Sequence, residues 1–171
     1  MKRNVIVFGL ILGAILCINM FIMVHRMYAN PGFKSNDVLG YTLMVVMFSM
    51  IFFGVRDFRN KQMGGVISFR KALVTGVLIA LLGCTMYVIV WLFYYYLFIP
   101  DFLDVYINHV LNQTAEADLA SRTAQMNNFR SMYNSPLMVS IMTYLEVLPV
   151  GLIVALVSAL ILRKNRVAAQ D

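Results

Sequence analysis

Glu146 is the residue of this sequence whose position best suits chemistry, because it is a lone carboxylate in a long apolar run near the C-terminus. An ionisable side chain within a membrane-spanning helix is by default a functional hypothesis, and it is expected to face a polar partner in the bundle interior. Thr143 precedes it by three residues, and Pro149 and Gly151 follow it. Proline removes a backbone donor, so the sequence predicts a kink beside the carboxylate.

Two interpretations of Glu146 stay open. In the first, it is a proton- or ligand-responsive group at a hinge. In the second, it forms a hydrogen bond between helices that fixes their packing. Asn19 lies at a similar depth when residues are counted from the predicted helix ends, which makes it a candidate partner. Transport sites are typically built with further charged groups or paired broken helices, so a single carboxylate gives that function thin support.

The other acids and the histidines form no recognisable catalytic or metal-binding motif. Four of them lie close in sequence: Asp101, Asp104, His109 and Glu116. Their spacing does not match a metal signature such as H-E-x-x-H, and solvated surface charge is the better interpretation. The 13 methionines admit a copper path or an apolar packing role, and packing is favoured because no loop motif captures metal. The sequence therefore predicts no metal, no cofactor and no enzyme activity.

The elements that must position Glu146 are long apolar runs. Hydrophobic residues make up 61% and charged residues 13% of the 171-residue chain, against about 45–50% and about 25% in soluble domains. Four runs have the length of a spanning helix, which needs roughly 17–25 residues: 5–24, 38–55, 72–99 and 137–162. The sequence predicts an all-α polytopic membrane protein with four transmembrane helices, forming a single domain over residues 1–171.

Lysine and arginine residues are concentrated on one side of this predicted bundle. Ten of them lie at the N-terminus, between the second and third runs and in the C-terminal tail, and four lie on the other side. Because cytoplasmic segments are rich in these residues, both termini are predicted to be cytoplasmic. The loop residues are Arg56, Arg59, Lys61, Arg70 and Lys71. Their charge fits topology determination or contact with anionic lipid headgroups, and no nucleic-acid partner is predicted.

Residues 100–136 form a polar insertion on the opposite, extracytoplasmic side. A first helix is expected from apolar positions at helical spacing: Phe102, Val105, Tyr106 and Val110. A second is expected over residues 115–133, with four apolar anchors: Leu119, Met126, Phe129 and Met132. Ser135 and Pro136 are expected to be the N-cap and first residue of the last span. The sequence thus predicts two short amphipathic helices over the outer face of the bundle.

Small residues predict where helices approach one another closely. Gly9 and Gly13 form a GxxxG face on the first span. Gly76 and Gly83 are seven residues apart on the third span and form another small-residue seam. These glycines are predicted to serve helix packing and not activity.

Three segments together resemble a known family. They are "FFGVRDFRNKQMGGVISFRKALVTG" at 52–76, "YYLFIPDFLDVY" at 95–106 and "TYLEVLPVGLIVALVSALILRK" at 143–164. In order and spacing they resemble the bacterial membrane family known as domain of unknown function 4199. The resemblance implies four helices, an outer helical insertion between the third and fourth, and a location in the bacterial inner membrane. It implies no activity and no catalytic residues.

The predicted function is that of an accessory or scaffold component of the membrane. In this hypothesis the helical insertion binds another membrane or envelope protein, or caps an oligomer of the chain itself. The alternative is a small subunit that transports protons or a solute and uses Glu146. The lipid bilayer is the one partner common to both.

Overall fold

The computed structural model describes residues 1–30, 37–133 and 135–164, and these form seven α-helices. The helices are α1 (Lys2–Ala29), α2 (Asp37–Phe48), α3 (Met50–Gln62), α4 (Phe69–Leu97), α5 (Phe102–Asn112), α6 (Leu119–Met132) and α7 (Pro136–Leu162). A 3₁₀ turn at Glu116–Asp118 precedes α6. Two of the basic residues counted above, Lys34 and Arg166, lie outside the described residues.

Four segments are long and apolar enough to cross a membrane, as predicted. They are Lys2–Ala29, Val38–Gln62, Phe69–Leu97 and Pro136–Leu162. Large apolar side chains cover their outward faces; examples are Ile6, Val46, Phe93 and Ile153. Such contiguous exposed apolar surface is unfavourable in water but suits a lipid environment. The described residues therefore have the architecture of an all-helical, multi-pass membrane protein.

The second span is longer than the apolar pattern predicts. α2 and α3 are separated by one residue, Ser49, whose backbone N–H donates to two carbonyl oxygens of the preceding turn. The prediction that this span ends at residue 55 and leads into a loop is wrong, because α3 continues to Gln62. Hydropathy marks only the lipid-embedded turns, whereas the helix itself persists until Gly64 and Gly65, which have φ angles of 62° and 84°.

α4 is the central helix, with α1 packed on one side and α7 on the other. Close approach depends on glycine on both sides. A Cβ atom added to Gly9 would lie 2.7 Å from Leu82 Cδ2, and one added to Gly13 would lie 2.7 Å from Met86 Sδ. Both distances are too short for real carbon contacts, so α1 and α4 need glycine at these positions to pack this closely.

The two glycines of α4 face different neighbours. A Cβ atom on Gly83 would lie 2.9 Å from Leu12 Cδ2 on α1, and one on Gly76 would lie 3.0 Å from Ala155 Cβ on α7. Leu12 and Ala155 are themselves fully buried. The small-residue seam therefore serves two interfaces at once.

The basal end is the end of the bundle where α1 and α4 begin and α3 and α7 finish. The Asn4 side-chain amide donates to Asp57 Oδ2 at 2.8 Å and accepts a hydrogen bond from Gln62. The backbones of Ile67 and Lys164 exchange two hydrogen bonds, at 3.1 and 2.9 Å, as an antiparallel bridge. These bonds tie α1 to α3, and the α3–α4 connection to the end of α7.

The predicted basic loop is thereby placed on α3 and at the start of α4. Arg56, Arg70 and Lys71 are exposed at the basal end. Lys61 forms an ion pair with Asp57 at 2.6 Å, and Arg59 Nη1 donates to the Leu162 carbonyl oxygen at 3.4 Å. Three of the five residues thus remain available to lipid headgroups, and two also have partners within the chain.

The cap end is the opposite end of the bundle, covered by α5, the 3₁₀ turn and α6. α5 buries Ile107, and it also buries His109, which is 8% exposed, so the expectation of a solvated histidine is wrong. Leu119 and Met132 are 41% and 42% exposed, so they are not the anchors that their spacing predicts. The reason is that α6 packs mainly against α5, and only one side of it faces other protein atoms.

α7 carries Glu146 and begins as predicted. The Ser135 hydroxyl caps it by accepting from the Met138 backbone N–H at 3.3 Å, and Pro136 is its first residue. The helix continues through Pro149 to Leu162, and the kink expected there stays a prediction. Its buried positions recur every four residues along one stripe: Val139, Thr143, Val147, Gly151, Ala155 and Ala159.

Candidate functional site

Glu146 lines a cavity of about 210 Å³ between α1, α4 and α7, beneath the cap end. Six aromatic side chains share its lining: Tyr87, Trp91, Phe102, Tyr106, Phe129 and Tyr133. Thr143 and three apolar residues of α1 complete it: Met20, Met23 and Val24. Five helices or their adjoining turns therefore contribute to one partly open cavity around a single carboxylate.

The carboxylate lies deep along its helix. Glu146 is ten residues from the Pro136 end of α7, and Tyr87 is ten residues from the Leu97 end of α4. At 1.5 Å per residue, both lie about 15 Å from the cap end. The floor of the cavity is therefore about 15 Å below the cap ends of these two helices.

Glu146 lies at the edge of the packed surface of α7 and lines the cavity. Its side chain is exposed in the cavity, beside the buried stripe of α7 that contains Thr143 and Val147. It forms no hydrogen bond or ion pair with another residue in 1–30, 37–133 or 135–164. The physical reason is the helical spacing: four-residue steps from Val139 pass through Val147, which places Glu146 at the edge of the stripe.

Asn19, Pro149 and Gly151 do not join this cavity lining. Asn19 is half-buried on α1 and is not among the cavity residues. Pro149 is exposed on α7. Gly151 lies farther toward the basal end, where an added Cβ atom would approach Phe48 Cε1 to 2.8 Å. Of the residues grouped with Glu146 on sequence, only Thr143 shares the cavity, and its hydroxyl donates to the Val139 carbonyl oxygen at 2.8 Å.

The aromatic lining is a continuous series of ring contacts from α4 to the end of α6. The rings of Trp91 and Phe102 meet edge-to-face with centroids 4.9 Å apart, and Phe102 stacks on Tyr106 at 6.0 Å. Tyr106 contacts Phe129 at 5.9 Å, and Phe129 contacts Tyr133 at 4.7 Å. Aromatic pairs at these separations are mutually stabilising, so the series holds α5 and α6 over the cavity.

The signal for this lining was present in the sequence as aromatic pairs four residues apart. They are Tyr87 with Trp91, Phe102 with Tyr106, and Phe129 with Tyr133. Each pair occupies one face of its helix. On sequence, the part of α4 that begins at Trp91 is typical of an interfacial aromatic belt. The convergence of the three pairs on one cavity was therefore missed.

Outside the cavity, one polar contact attaches the cap end to α1 and another joins the two helices of the cap end. The Tyr28 hydroxyl at the end of α1 donates to Asp101 Oδ1 at 3.0 Å. Arg130 of α6 forms an ion pair with Asp104 of α5. Two of the three acids of the suspected metal group therefore have other partners. No cluster of three or more histidines, cysteines or acids that could hold a metal occurs among the described residues.

Electrostatically, the cavity is a carboxylate in largely apolar surroundings. Its described lining contains no lysine, arginine or histidine. The Tyr87 and Tyr133 phenols are electrostatic neighbours of Glu146. Burial, and after it the nearby Glu146 carboxylate, raise the pKa of the Tyr133 phenol. That phenol therefore stays protonated and can donate a hydrogen bond within the cavity.

The fold and the cavity define a class: multi-pass helical membrane proteins with four spans and a helical cap. The family model described as "Protein of unknown function (DUF4199)" matches residues 7–164, and the chain belongs to that family. Neither the comparison with curated proteins nor that with solved structures found a match. The membership agrees with the resemblance seen in the sequence and assigns no activity.

Proposed function

We propose that this chain is an accessory protein of the bacterial inner membrane that binds a small ligand beneath its cap end. The observation that carries the proposal is Glu146: a carboxylate without a partner among the described residues, in a cavity lined by aromatic rings. Holding a charged group among apolar side chains without a partner is costly, so such a site favours an occupant that supplies the missing interaction. Ligand pockets combine apolar walls with a few polar groups in this way.

We place the cap end outside the cytoplasm. The proposal rests on the excess of lysine and arginine at the basal end, which includes Lys2, Arg3, Arg70 and Lys71. The positive-inside rule relates such an excess to the cytoplasmic face. In this orientation the ligand reaches the cavity from the outer side, and exposed Arg56, Arg70 and Lys71 lie at the level of anionic cytoplasmic headgroups.

Transport is the second candidate, and it rests on the same carboxylate. A transport route must continue past Glu146 to the basal end. In that direction Val147, Phe48 and Ala80 are at most 2% exposed, and Gly151 packs directly on the latter two. Transport therefore needs a second conformation, whereas binding needs none, and binding is the simpler proposal.

The cavity supports an accessory role better than it supports an enzyme. The described cavity lining offers one carboxylate and tyrosine phenols, but no histidine, lysine, cysteine or second carboxylate for Glu146 to work with in proton transfer. We therefore propose that binding changes how the cap end, made by α5 and α6, meets another membrane or envelope protein or a second copy of the chain.

Thiol labelling tests both the access and the orientation. Glu146→Cys is compared with Leu145→Cys, which is at the same depth but 64% exposed on the outward face of α7. A charged, membrane-impermeant methanethiosulfonate reagent reacts with thiolates, which form in water and not in lipid. The expected result is that Glu146→Cys reacts from the outer face at least about tenfold faster than Leu145→Cys.

Wild-type protein, in which Cys17 and Cys84 are buried, supplies the background reaction. Equal, slow labelling of the two variants contradicts access to the cavity. Labelling of Glu146→Cys from the cytoplasmic face alone contradicts the orientation.

A further inference from the structure

The cavity itself indicates the chemical class of its ligand, if it is a binding site as proposed above. We propose that it binds a compact organic cation, an amine or quaternary ammonium compound, with Glu146 as the counter-ion and the surrounding rings as the cage. The inference rests on the proposed function and deepens it. It combines the charge, the ring content and the volume of the same space.

The charge of the cavity lining favours a cation. Glu146 is the one carboxylate of the described lining, and no lysine, arginine or histidine lines the cavity with it. Arg130, on the cap, is engaged with Asp104 outside the cavity. A positive ligand supplies the counter-charge that the chain does not supply, whereas an anion meets only repulsion from the carboxylate.

The aromatic rings of the lining also favour a cation. The faces of tryptophan, tyrosine and phenylalanine attract cations within about 6 Å of the ring centroid, and aromatic cages recognise ammonium groups in this way. Six such rings line this one cavity, and they come from α4, from α5 and from the α6 segment ending at Tyr133. Their contacts with one another fix the cage before a ligand arrives, which lowers the entropy cost of binding.

An inorganic cation fits less well. Calcium takes six to eight oxygen ligands, and magnesium requires near-octahedral oxygen coordination. Glu146, the Thr143 hydroxyl and the phenols of the lining offer few oxygens, dispersed among apolar groups. Rings and thioethers such as Met20 and Met23 suit an alkylated cation with a large apolar surface better.

The volume of the cavity limits the size of the ligand. Pockets for drug-sized ligands have roughly 300–1,000 Å³, so a cavity of about 210 Å³ suits a smaller molecule. Choline is such a molecule, and 3,3-dimethylbutan-1-ol has the same shape with carbon in place of the charged nitrogen.

The experiment uses the single tryptophan of the chain, Trp91, which lines the cavity. The full-length protein in a maltoside detergent, which carries no ammonium group, is titrated with choline and separately with 3,3-dimethylbutan-1-ol. Trp91 emission reports occupancy directly. The expected result is saturable binding of choline at least about tenfold tighter than binding of the neutral analogue.

Two variants separate the contributions. Glu146→Gln keeps the size and removes the charge, and it is expected to weaken choline binding by about 30-fold while leaving the neutral analogue unchanged. Phe129→Leu removes one ring from a helix with no fully buried residues, and an approximately fivefold loss is expected. Matched controls are Glu116→Gln, which changes an exposed glutamate outside the cavity, and Phe53→Leu on the outward face of α3.

The outcomes distinguish this inference from the proposed function. Equal affinity for the two probes, or choline binding unchanged in Glu146→Gln, overturns the cation site but leaves a ligand cavity. No saturable change with either probe overturns the cation site as well. Thiol labelling of Glu146→Cys then decides independently whether the cavity is accessible at all.

Discussion

The two ends of this bundle solve the same packing problem differently. On the basal side of the cavity, small residues let α1, α4 and α7 approach until side chains such as Leu12, Ile79 and Ala155 are fully buried. At the cap end, bulky aromatic side chains hold the helices apart and leave a cavity around Glu146. Close packing gives dispersion energy and rigidity, whereas a cavity forfeits contacts that a ligand can restore.

The polar side chains of the two ends also differ, in whether they have partners within the chain. Basal polar side chains are paired within the chain, as Asn4 is with Asp57 and Gln62. The carboxylate beneath the cap is not paired with any described residue. A paired group contributes to stability, whereas an unpaired one costs stability, and such a cost is typical of functional sites. This difference supports the proposal that the cap half binds a ligand, whereas the basal half serves the fold.

The largest expected effect comes from adding side-chain volume to the glycine-packed interface of α1 and α4. Gly83→Leu places a side chain where even a Cβ atom would be 2.9 Å from Leu12 Cδ2 and 3.3 Å from the Gly9 carbonyl oxygen. The expected loss is about 3 kcal/mol of unfolding free energy, measured by SDS titration in detergent micelles. Gly40→Leu, where an added Cβ atom meets nothing within 4 Å, should change it by less than about 0.5 kcal/mol. Equal effects would remove the distinction between the two halves.

Breaking the basal polar network should cost less. Asn4→Ala deletes a buried side chain, 4% exposed, that bonds two residues of α3. About 1–2 kcal/mol of unfolding free energy should be lost, because Gln62 and Asp57 lose a partner. Trp91 emission should stay unchanged, since the cavity lies at the other end of the bundle. A shifted emission spectrum would mean that the two ends are coupled.

The smallest effect is expected at the attachment of the cap. Tyr28→Phe removes the exposed hydrogen bond to Asp101, which is 3.0 Å long. The free energy of unfolding should fall by about 0.5 kcal/mol. Amide hydrogen exchange in α5 should become faster while exchange in α4 stays the same, because only the cap is loosened. Uniformly faster exchange would show that the cap and the spans unfold together.

The four spans and the special position of Glu146 were predictable from the sequence, for local reasons. Run length marks a span, and a charge within a span is conspicuous whatever surrounds it. The end of the second span was not predictable from hydropathy, because α3 continues as a polar helix to Gln62. Ser135 and Pro136 were predictable because capping depends on neighbouring residues alone.

The cavity was not predictable, because it depends on residues far apart in the chain. Trp91, Phe102 and Phe129 meet only when α5 folds back over the bundle and α6 returns beside it. The direction of Glu146 depends on which stripe of α7 is buried, and several apolar stripes of that helix are equivalent by composition. Thr143 lines the same cavity as Glu146, because residues three apart along a helix share a face.

The stability of Glu146→Leu tests the central claim most directly. If the carboxylate stands in a cavity without a protein partner, leucine leaves the unfolding free energy unchanged or raises it by up to about 1 kcal/mol. Thr143→Leu, at a buried neighbouring position that is 4% exposed, controls for the added volume and should be destabilising. A loss of about 2 kcal/mol or more in Glu146→Leu would show that Glu146 holds the helices together, and would contradict the account.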